Sequence, residues 1–384
     1  MPAGIMDTLA GKQHQQQQQL PHYSRCRHQS PQEPILRRTR FVCVSDTHNT
    51  TVKLPKGDVL IHAGDLTNQG SYSELSRAVA WLEKADFEAK IVIAGNHDLT
   101  LDSDFYAEHG NHFHNQAPQS PESCLSLLTD SPSITYLNHA SATVRLRSPS
   151  GPQTSFTVFG SPYSPRNGLW AFGYDAPQEG TADLPRLWDD IPLGADVVVT
   201  HTPPHTHVDE SRHRRAAGCE ALRRALWRVR PRLAVCGHVH EARGVERVRW
   251  DLGCANTAFK EAGVKTWEDP GVGNKQSLVN LSSKGGEPLL NDGGDVGTVT
   301  SVGGGDGTGP GVGTRGLGGD PASARADRDA LMGRLGRQET CVVNCAIMAK
   351  SYPHVGGKTV NKPIVIDLDL PVWTETPETA HAGE

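Results

Sequence analysis

The sequence predicts an α/β fold in which a sheet with parallel strands is covered by helices. Short apolar runs of buried-strand type recur, as in Phe41-Val42-Cys43-Val44, Val59-Leu60-Ile61 and Ile91-Val92-Ile93-Ala94. A stretch of helical periodicity lies between such runs. Each run also stops at a polar cluster, the pattern of strands that deliver side chains to one end of a sheet.

Taken in order, residues 1–38 hold Gln15 to Gln19 amid scattered Pro, Ser and His, the composition of a disordered leader. Order is expected from Arg40. Ser71 to Ala89 reads as a helix, because Leu75, Val79 and Leu82 share one face and Ser71 or Ser73 can cap it. Thr154 to Phe159 alternates as a strand, and Asp196 to Thr200 is another of buried type. Cys219 to Val229 is amphipathic, with Cys219, Leu222, Leu226 and Val229 on one side, and Pro231 ends it. Leu233 to Cys236 and Val245 to Trp250 are further strands. Composition then changes: from Gly285 to Asp320 fifteen residues are glycine. Such a stretch buries too little surface to offset its ordering entropy. Residues 255–338 are therefore expected to be a largely disordered, Gly-rich insertion, with room for a short helix near Ala322 to Leu335. Cys341 to Ala349 and Pro363 to Leu368 resume as strands. Residues 39–254 and 339–373 then make one domain, and 374–384 a disordered tail.

Bulk composition sets limits. A chain of 384 residues with 36% hydrophobic and 6% aromatic content leaves part of itself outside any core. Net charge of −5 and a pI near 6.4 do not describe a polyanion-binding protein as a whole. The eight cysteines lack the paired spacing of a zinc ribbon and mostly sit in apolar runs, as free thiols do in a reducing compartment. No apolar signal region and no run approaching roughly 18–20 apolar residues is present, so a cytoplasmic location without membrane contact is expected. The sequon at Asn49 is then idle.

Five strand ends carry chemistry: Ser45-Asp46-Thr47-His48, Gly64-Asp65, Gly95-Asn96-His97-Asp98, Thr200-His201 and Gly237-His238-Val239-His240. They are expected to gather in the crevice beyond the carboxyl ends of the strands. Carboxylates, an asparagine carbonyl and neutral imidazoles without a thiolate suit two divalent ions, Mn, Fe or Zn before Mg. Two ions roughly 3.5–4 Å apart need a bridging carboxylate, which Asp65 in its tight Gly-Asp turn can supply. Asp46-x-His48 and His238-x-His240 would each place two donors on one edge of an extended turn. Asp46, His48 and His240 are assigned to one ion, and Asn96, His201 and His238 to the other. His97 points away from the ligand before it and is free to protonate a leaving oxygen, with Asp98 orienting its imidazole. Two such ions would hold a hydroxide between them as nucleophile, so no protein nucleophile is needed.

These motifs resemble the calcineurin-like metallophosphoesterase superfamily in order and in spacing. Within it, Phe41 to His48, Ile61-His62-Ala63-Gly64-Asp65, Gly95 to Thr100 and Gly160-Ser161-Pro162 are similar to the metallophosphoesterase-domain-containing proteins. The likeness covers residues 40–253 and 341–370. It implies a four-layer αββα sandwich with two mixed sheets, a dinuclear centre, and hydrolysis of phosphomonoesters or diesters, cyclic nucleotides among them. His238 stands where some animal members carry Gly, which implies a complete second site here.

Several features have ordinary readings. His205 and His207 are expected in a solvated loop rather than lining the pocket, His62 as a satisfied histidine of the core or one supporting a ligand from behind, and the arginines from Arg212 to Arg232 mainly on a solvated helix face. Arg166 and Asn167, in the turn-rich segment Tyr163 to Tyr174 with Trp170, are candidate substrate contacts. The expected partner is a small phosphate ester. A nuclease would need the arginine-rich segment to line a groove, and a scaffold would have no use for a filled ligand set.

Overall fold

The first strand starts at Leu36, ahead of the boundary expected at residue 39. The computed structural model describes residues 34–175, 186–251, 259–291, 337–350 and 357–373. Most of the leader, the tail, Cys26, Cys254 and the helix expected near Ala322 to Leu335 lie outside them.

In chain order the first half gives strands β1 (Leu36–Val44), β2 (Val59–Ala63), β3 (Ala89–Ile93), β4 (Thr135–Tyr136), β5 (Ala140–Arg145), β6 (Ser155–Ser161), and the short pair β7 (Ser164–Pro165) and β8 (Gly173–Tyr174). There follow β9 (Val197–Thr200), β10 (Leu233–Cys236), β11 (Gly244–Trp250), β12 (Glu261–Thr266), β13 (Ser277–Leu281), β14 (Glu339–Asn344) and β15 (Ile364–Pro371). The helices are α1 (Tyr72–Lys84), α2 (Ser103–His114), α3 (Pro121–Thr129) and α4 (Glu220–Val229).

One sheet has the order β13-β15-β1-β2-β3-β4 and the other β12-β11-β14-β10-β9-β6-β5. Both are mixed: β1 runs parallel to β2 but antiparallel to β15, and β10 parallel to β9 and β14 while β11 is antiparallel to β14. Strand alternation explains the layering. Phe41 and Cys43 of β1 face the second sheet, meeting Phe156, Val158, Val197, Val235 and Val343, whereas Val42 and Val44 face helices. Phe41 and Phe156 meet edge to face at 5.3 Å across the sheets. Leu75, Val79 and Leu82 of α1, with Phe105 of α2 and Leu128 of α3, cover the first sheet. Leu222, Leu226 and Val229 of α4, with Trp188, cover the second. The result is the four-layer αββα sandwich. Strands buried on both faces are why their sequences read as unbroken apolar runs.

Three expectations need correction. Helix α1 ends at Lys84, not Ala89, because Ala85 is extended (φ −71°, ψ 131°) and Ala89 opens β3. Its start is as read: Ser71 caps it and its N–H donates to Glu74 at 2.9 Å, forming a capping box. Strands β12 and β13 fall inside the stretch 255–338 expected to be a disordered insertion. Ser277, Val279 and Leu281 alternate inward and pair with β15, and the glycine bias begins only beyond them. The arginines of α4 and after it are not all solvated, since Arg228 donates to the carbonyls of Trp188 and Ile191 and Arg230 to that of Trp227, all buried. Six described cysteines (43, 124, 219, 236, 341 and 345) are buried free thiols, as read. No helix among the described residues is long and apolar enough to cross a membrane.

Candidate metal centre

The two sheets are stitched together at the carboxyl ends of β1 and β14. Ser45 N donates to Cys345 O at 3.1 Å and Ile347 N to Ser45 O at 2.9 Å. The five polar clusters lie there, directly after β1, β2, β3, β9 and β10. The chain turns sharply at each. Asp46, His48, Asp65 and His238 have φ of 51°, 44°, 54° and 67°, a left-handed conformation that non-glycine residues seldom adopt. Donor convergence thus comes from left-handed turns, not from the extended geometry expected at 46–48 and 238–240. The glycines permit close approach: a Cβ on Gly237 would lie 2.2 Å from Asp46 Oδ2, and one on Gly95 2.3 Å from Asp65 Oδ1.

All seven expected ligands come together. His240 Nε2 is 3.2 Å from Asp46 Oδ1 and 3.3 Å from His48 Nε2. Asn96 Oδ1 is 2.9 Å from both His201 Nε2 and His238 Nδ1. Asp65 Oδ2 stands between the groups, 3.5 Å from His48 Nε2 and 3.5 Å from His201 Nε2. Donors about 2.1 Å from one cation lie roughly 3.0–3.4 Å apart at right or tetrahedral angles. The donor set and its spacing therefore fit divalent ions, and three overlapping groups, Asp46/His48/His240, Asp46/Asp65/His201 and His48/Asp65/His97, could each hold one. Backbone carbonyls orient the rings. His48 Nδ1 meets Thr67 O at 3.1 Å and His201 Nδ1 meets Ala63 O at 2.9 Å, which turns each Nε2 inward.

Electrostatics divide the imidazoles into two pairs. Burial lowers His48 and His238 to about 4, so both are neutral at physiological pH. Burial opposes charge on His201 and His240 too, but Asp65 and Asp46 outweigh it and raise both to about 9. Burial likewise works against charge on those carboxylates, yet His240 holds Asp46, and His201 holds Asp65, well below the ordinary range.

His97 is half-buried beside this cluster. Its Nδ1 meets Asn68 O at 2.8 Å, which leaves Nε2 free, and its ring lies 3.9 Å from Trp170 and 4.8 Å from His48. Asp98 does not orient it. The Asp98 carboxylate accepts from Leu66 N, Thr67 N, Thr67 Oγ1 and Gly95 N at 3.2, 3.0, 2.7 and 2.9 Å, tying the Asp65 loop to the Asn96 loop. Burial and then Asp65 raise it to about 6.

A cleft of 1030 Å³ opens over the cluster, lined among others by Arg166, Asn167 and Trp170. Arg166 is engaged by Asp175 at 2.8 Å and by the Gly173 carbonyl. Asn68, Arg212, His213, Arg215 and Lys358 also line the cleft and were not read as site residues. His207 is not solvated: 2% exposed, it lies 2.8 Å from Glu246 and 3.1 Å from Glu261. His205 stays partly exposed beside Asp209. His62 is buried, with Nε2 on Thr47 Oγ1 at 3.0 Å, but it is only half satisfied, since its Nδ1 has no partner among the described residues; burial lowers it to about 4.

A family model described as calcineurin-like phosphoesterase matches residues 39–242, a span that contains every cluster ligand. The chain is 40% identical over 229 residues to human metallophosphoesterase domain-containing protein 1, across 57% of this chain and 65% of that one. It is 43% identical over 215 residues to a probable rhamnogalacturonate lyase C of Emericella nidulans, across 56% of this chain but 18% of that one. A UPF0046 protein of Caenorhabditis elegans is 34% identical over 225 residues, 58% of this chain and 69% of that one. The chain thus spans less than two thirds of the first two of these relatives.

Proposed function

Because the chain belongs to the calcineurin-like phosphoesterase family, we propose that it hydrolyses a small phosphodiester or phosphomonoester with two divalent ions in this centre. The observation that carries the reading is Asp65, whose Oδ2 lies equally far, 3.5 Å, from an imidazole nitrogen of each donor group. A carboxylate so placed would suit a bridging role. Asp46, His48 and His240 would hold one ion, and Asn96, His201 and His238 the other. Bound there, the ions supply electrophilic stabilisation of phosphoryl oxygens and an activated water at neutral pH. Cyclic nucleotides fall within the substrate class.

The chain's own residues do the rest. The His97 ring, fixed between Asn68 O and Trp170, presents Nε2 to the cleft and delivers a proton to the leaving oxygen. Arg166 and Asn167 line the wall on which the substrate body rests. Four ligands in left-handed backbone represent strain retained at the site, as expected where geometry serves binding. A scaffold role would leave this strain without a purpose.

The test is turnover of a generic aryl phosphodiester by the full chain with Mn²⁺, followed by chelator and metal add-back. Metal-dependent, restorable hydrolysis is expected. Turnover that ignores chelator, or its absence with every divalent ion tried, refutes the reading.

A further inference from the structure

Resting on that reading, we propose that the substrate carries a second phosphate, bound by the loop tip at Arg212 and Arg215 while the first is hydrolysed. The loop between β9 and α4 is tied by a parallel bridge at its base and ends in a short antiparallel hairpin. Pro204 bridges to Cys219 and Glu210 to Ala216, and Ser211 N donates to Arg215 O at 2.9 Å across the tip. Buried Asp209 closes the stem by accepting from Thr206 N and Gly218 N at 2.9 Å each. Below it, His207 is clamped between Glu246 of β11 and Glu261 of β12 and sits edge-on to Trp250. The tip is thus presented on a stem fixed to the second sheet.

Unpaired charge inside the cleft sets the tip apart. Arg40 is matched with Asp367, Arg223 with Glu261, Arg224 with Glu220, Arg243 with Asp269 and Arg247 with Glu339. Arginines outside the tip that lack such a partner among the described residues, Arg77, Arg145, Arg147 and Arg249 among them, do not line the cleft. Among the described residues no carboxylate lies within ion-pair distance of Arg212, Arg214 or Arg215, and the Arg212 guanidinium reaches only His213, at 3.1 Å. Arg212, His213 and Arg215 line the same cleft as His97 and His238, together with Lys358. The carboxylates of that lining are Asp65, within the metal cluster, and Glu241. In a chain of net charge −5, this is a local reversal of sign built over the candidate centre.

Size and reach narrow the substrate. Small-molecule sites measure roughly 300–1,000 Å³, so a cleft of 1030 Å³ has room well beyond a single phosphate. A nucleic-acid strand would need the cationic wall to continue. It does not, since Arg223 and Arg224 are paired and Arg228 and Arg230 are buried against carbonyls. The geometry favours a compact ester with two phosphates, such as a nucleoside bisphosphate.

Two aryl esters sharing one scissile bond test this: the p-nitrophenyl ester of thymidine 5′-phosphate, and the same compound bearing a 3′-phosphate. At low salt kcat/KM should favour the second by about tenfold, the worth of one charge-assisted contact, and added salt should erode the preference. The double variant Arg212→Gln/Arg215→Gln should bring the ratio towards one. Because the ratio is read within each protein, any loss of fold or metal moves both rates and leaves it intact. A wild-type ratio near one, or a ratio that survives the substitutions, overturns the proposal. So would a preference that keeps growing with oligonucleotide length, which would mean strand binding. If neither ester is turned over with any divalent ion, the phosphoesterase reading fails by itself. The subsite is then tested by titrating thymidine 3′,5′-bisphosphate into chelator-treated protein. Binding about tenfold weaker in the double variant supports it, and equal or no binding overturns it.

Discussion

Loading the centre with zinc at pH 6 should release about two protons, one for each ion. His201 and His240 are held at about 9 by their carboxylates. Three pH units below that value both rings are almost wholly imidazolium. His48 and His238, at about 4, are already neutral, and Asp46 and Asp65 are ionised. Coordination requires neutral rings, so each proposed donor group has a single proton to lose: that of His240 in one, that of His201 in the other. Water bound to a single ion keeps its protons at this pH, since coordination lowers its pKa only to about 7. A proton lost from water shared by both ions would add to the count without altering the change expected on substituting His240. Titration calorimetry in buffers of different ionisation enthalpy counts the released protons directly. His240→Gln should reduce the count by about one. A count well below one, or one unaffected by that variant, would refute the assignment of protons to these rings. The sign for the metal-free protein follows. Raised imidazole values stabilise the fold fully below pH 6.5, and that contribution is lost as pH rises through about 9. Chelator-treated protein should therefore unfold at lower urea at pH 9.5 than at pH 6.5, and restored metal should remove the difference.

Three further outcomes are expected. His97→Gln should slow hydrolysis of an alkyl ester by roughly 10²-fold but that of a p-nitrophenyl ester by less than about tenfold, because a proton donor matters most for a poor leaving group. Equal losses on both would remove His97 from that role. Gly237→Ala puts a Cβ 2.2 Å from Asp46 Oδ2, so metal content by elemental analysis and turnover should both fall while the circular dichroism spectrum is kept; full metal occupancy would contradict this. Asp98→Ala removes the acceptor of four hydrogen bonds and should cost roughly 2–4 kcal/mol in urea unfolding. Lost activity at unchanged stability would instead return Asp98 to orienting His97.

What the sequence disclosed follows from its physics. Strands β1, β2, β3, β9 and β10 are covered on both faces, so their apolar runs stand out, and each ligand cluster follows one directly. Helix α2 did not stand out because its twelve residues include Gly110 and three histidines, which blur its apolar face. Helix α3 has a clear start, Ser120 as cap and Pro121 in the first turn, that went unread. Strand β12 lies at a sheet edge with most side chains exposed, leaving little pattern to find. The gathering of the seven candidate donors was legible because residue type, order and position after a buried strand suffice to foresee it. The role of Asp98 was not, since its partners are backbone N–H groups from another loop as well as its own. Nor was the clamp on His207, whose carboxylates stand 39 and 54 residues away.

Each sheet receives an inner strand from the far end of the chain: β14 fits between β10 and β11, and β15 between β13 and β1. During synthesis every candidate ligand has been added by His240, yet neither sheet can close until residues 339–371 emerge. Until then β1 and β10 each expose an open edge beside apolar side chains, a natural substrate for chaperones and for aggregation. A transcript stopping between His240 and β14 would encode a full complement of donors on a polypeptide unable to hold them together.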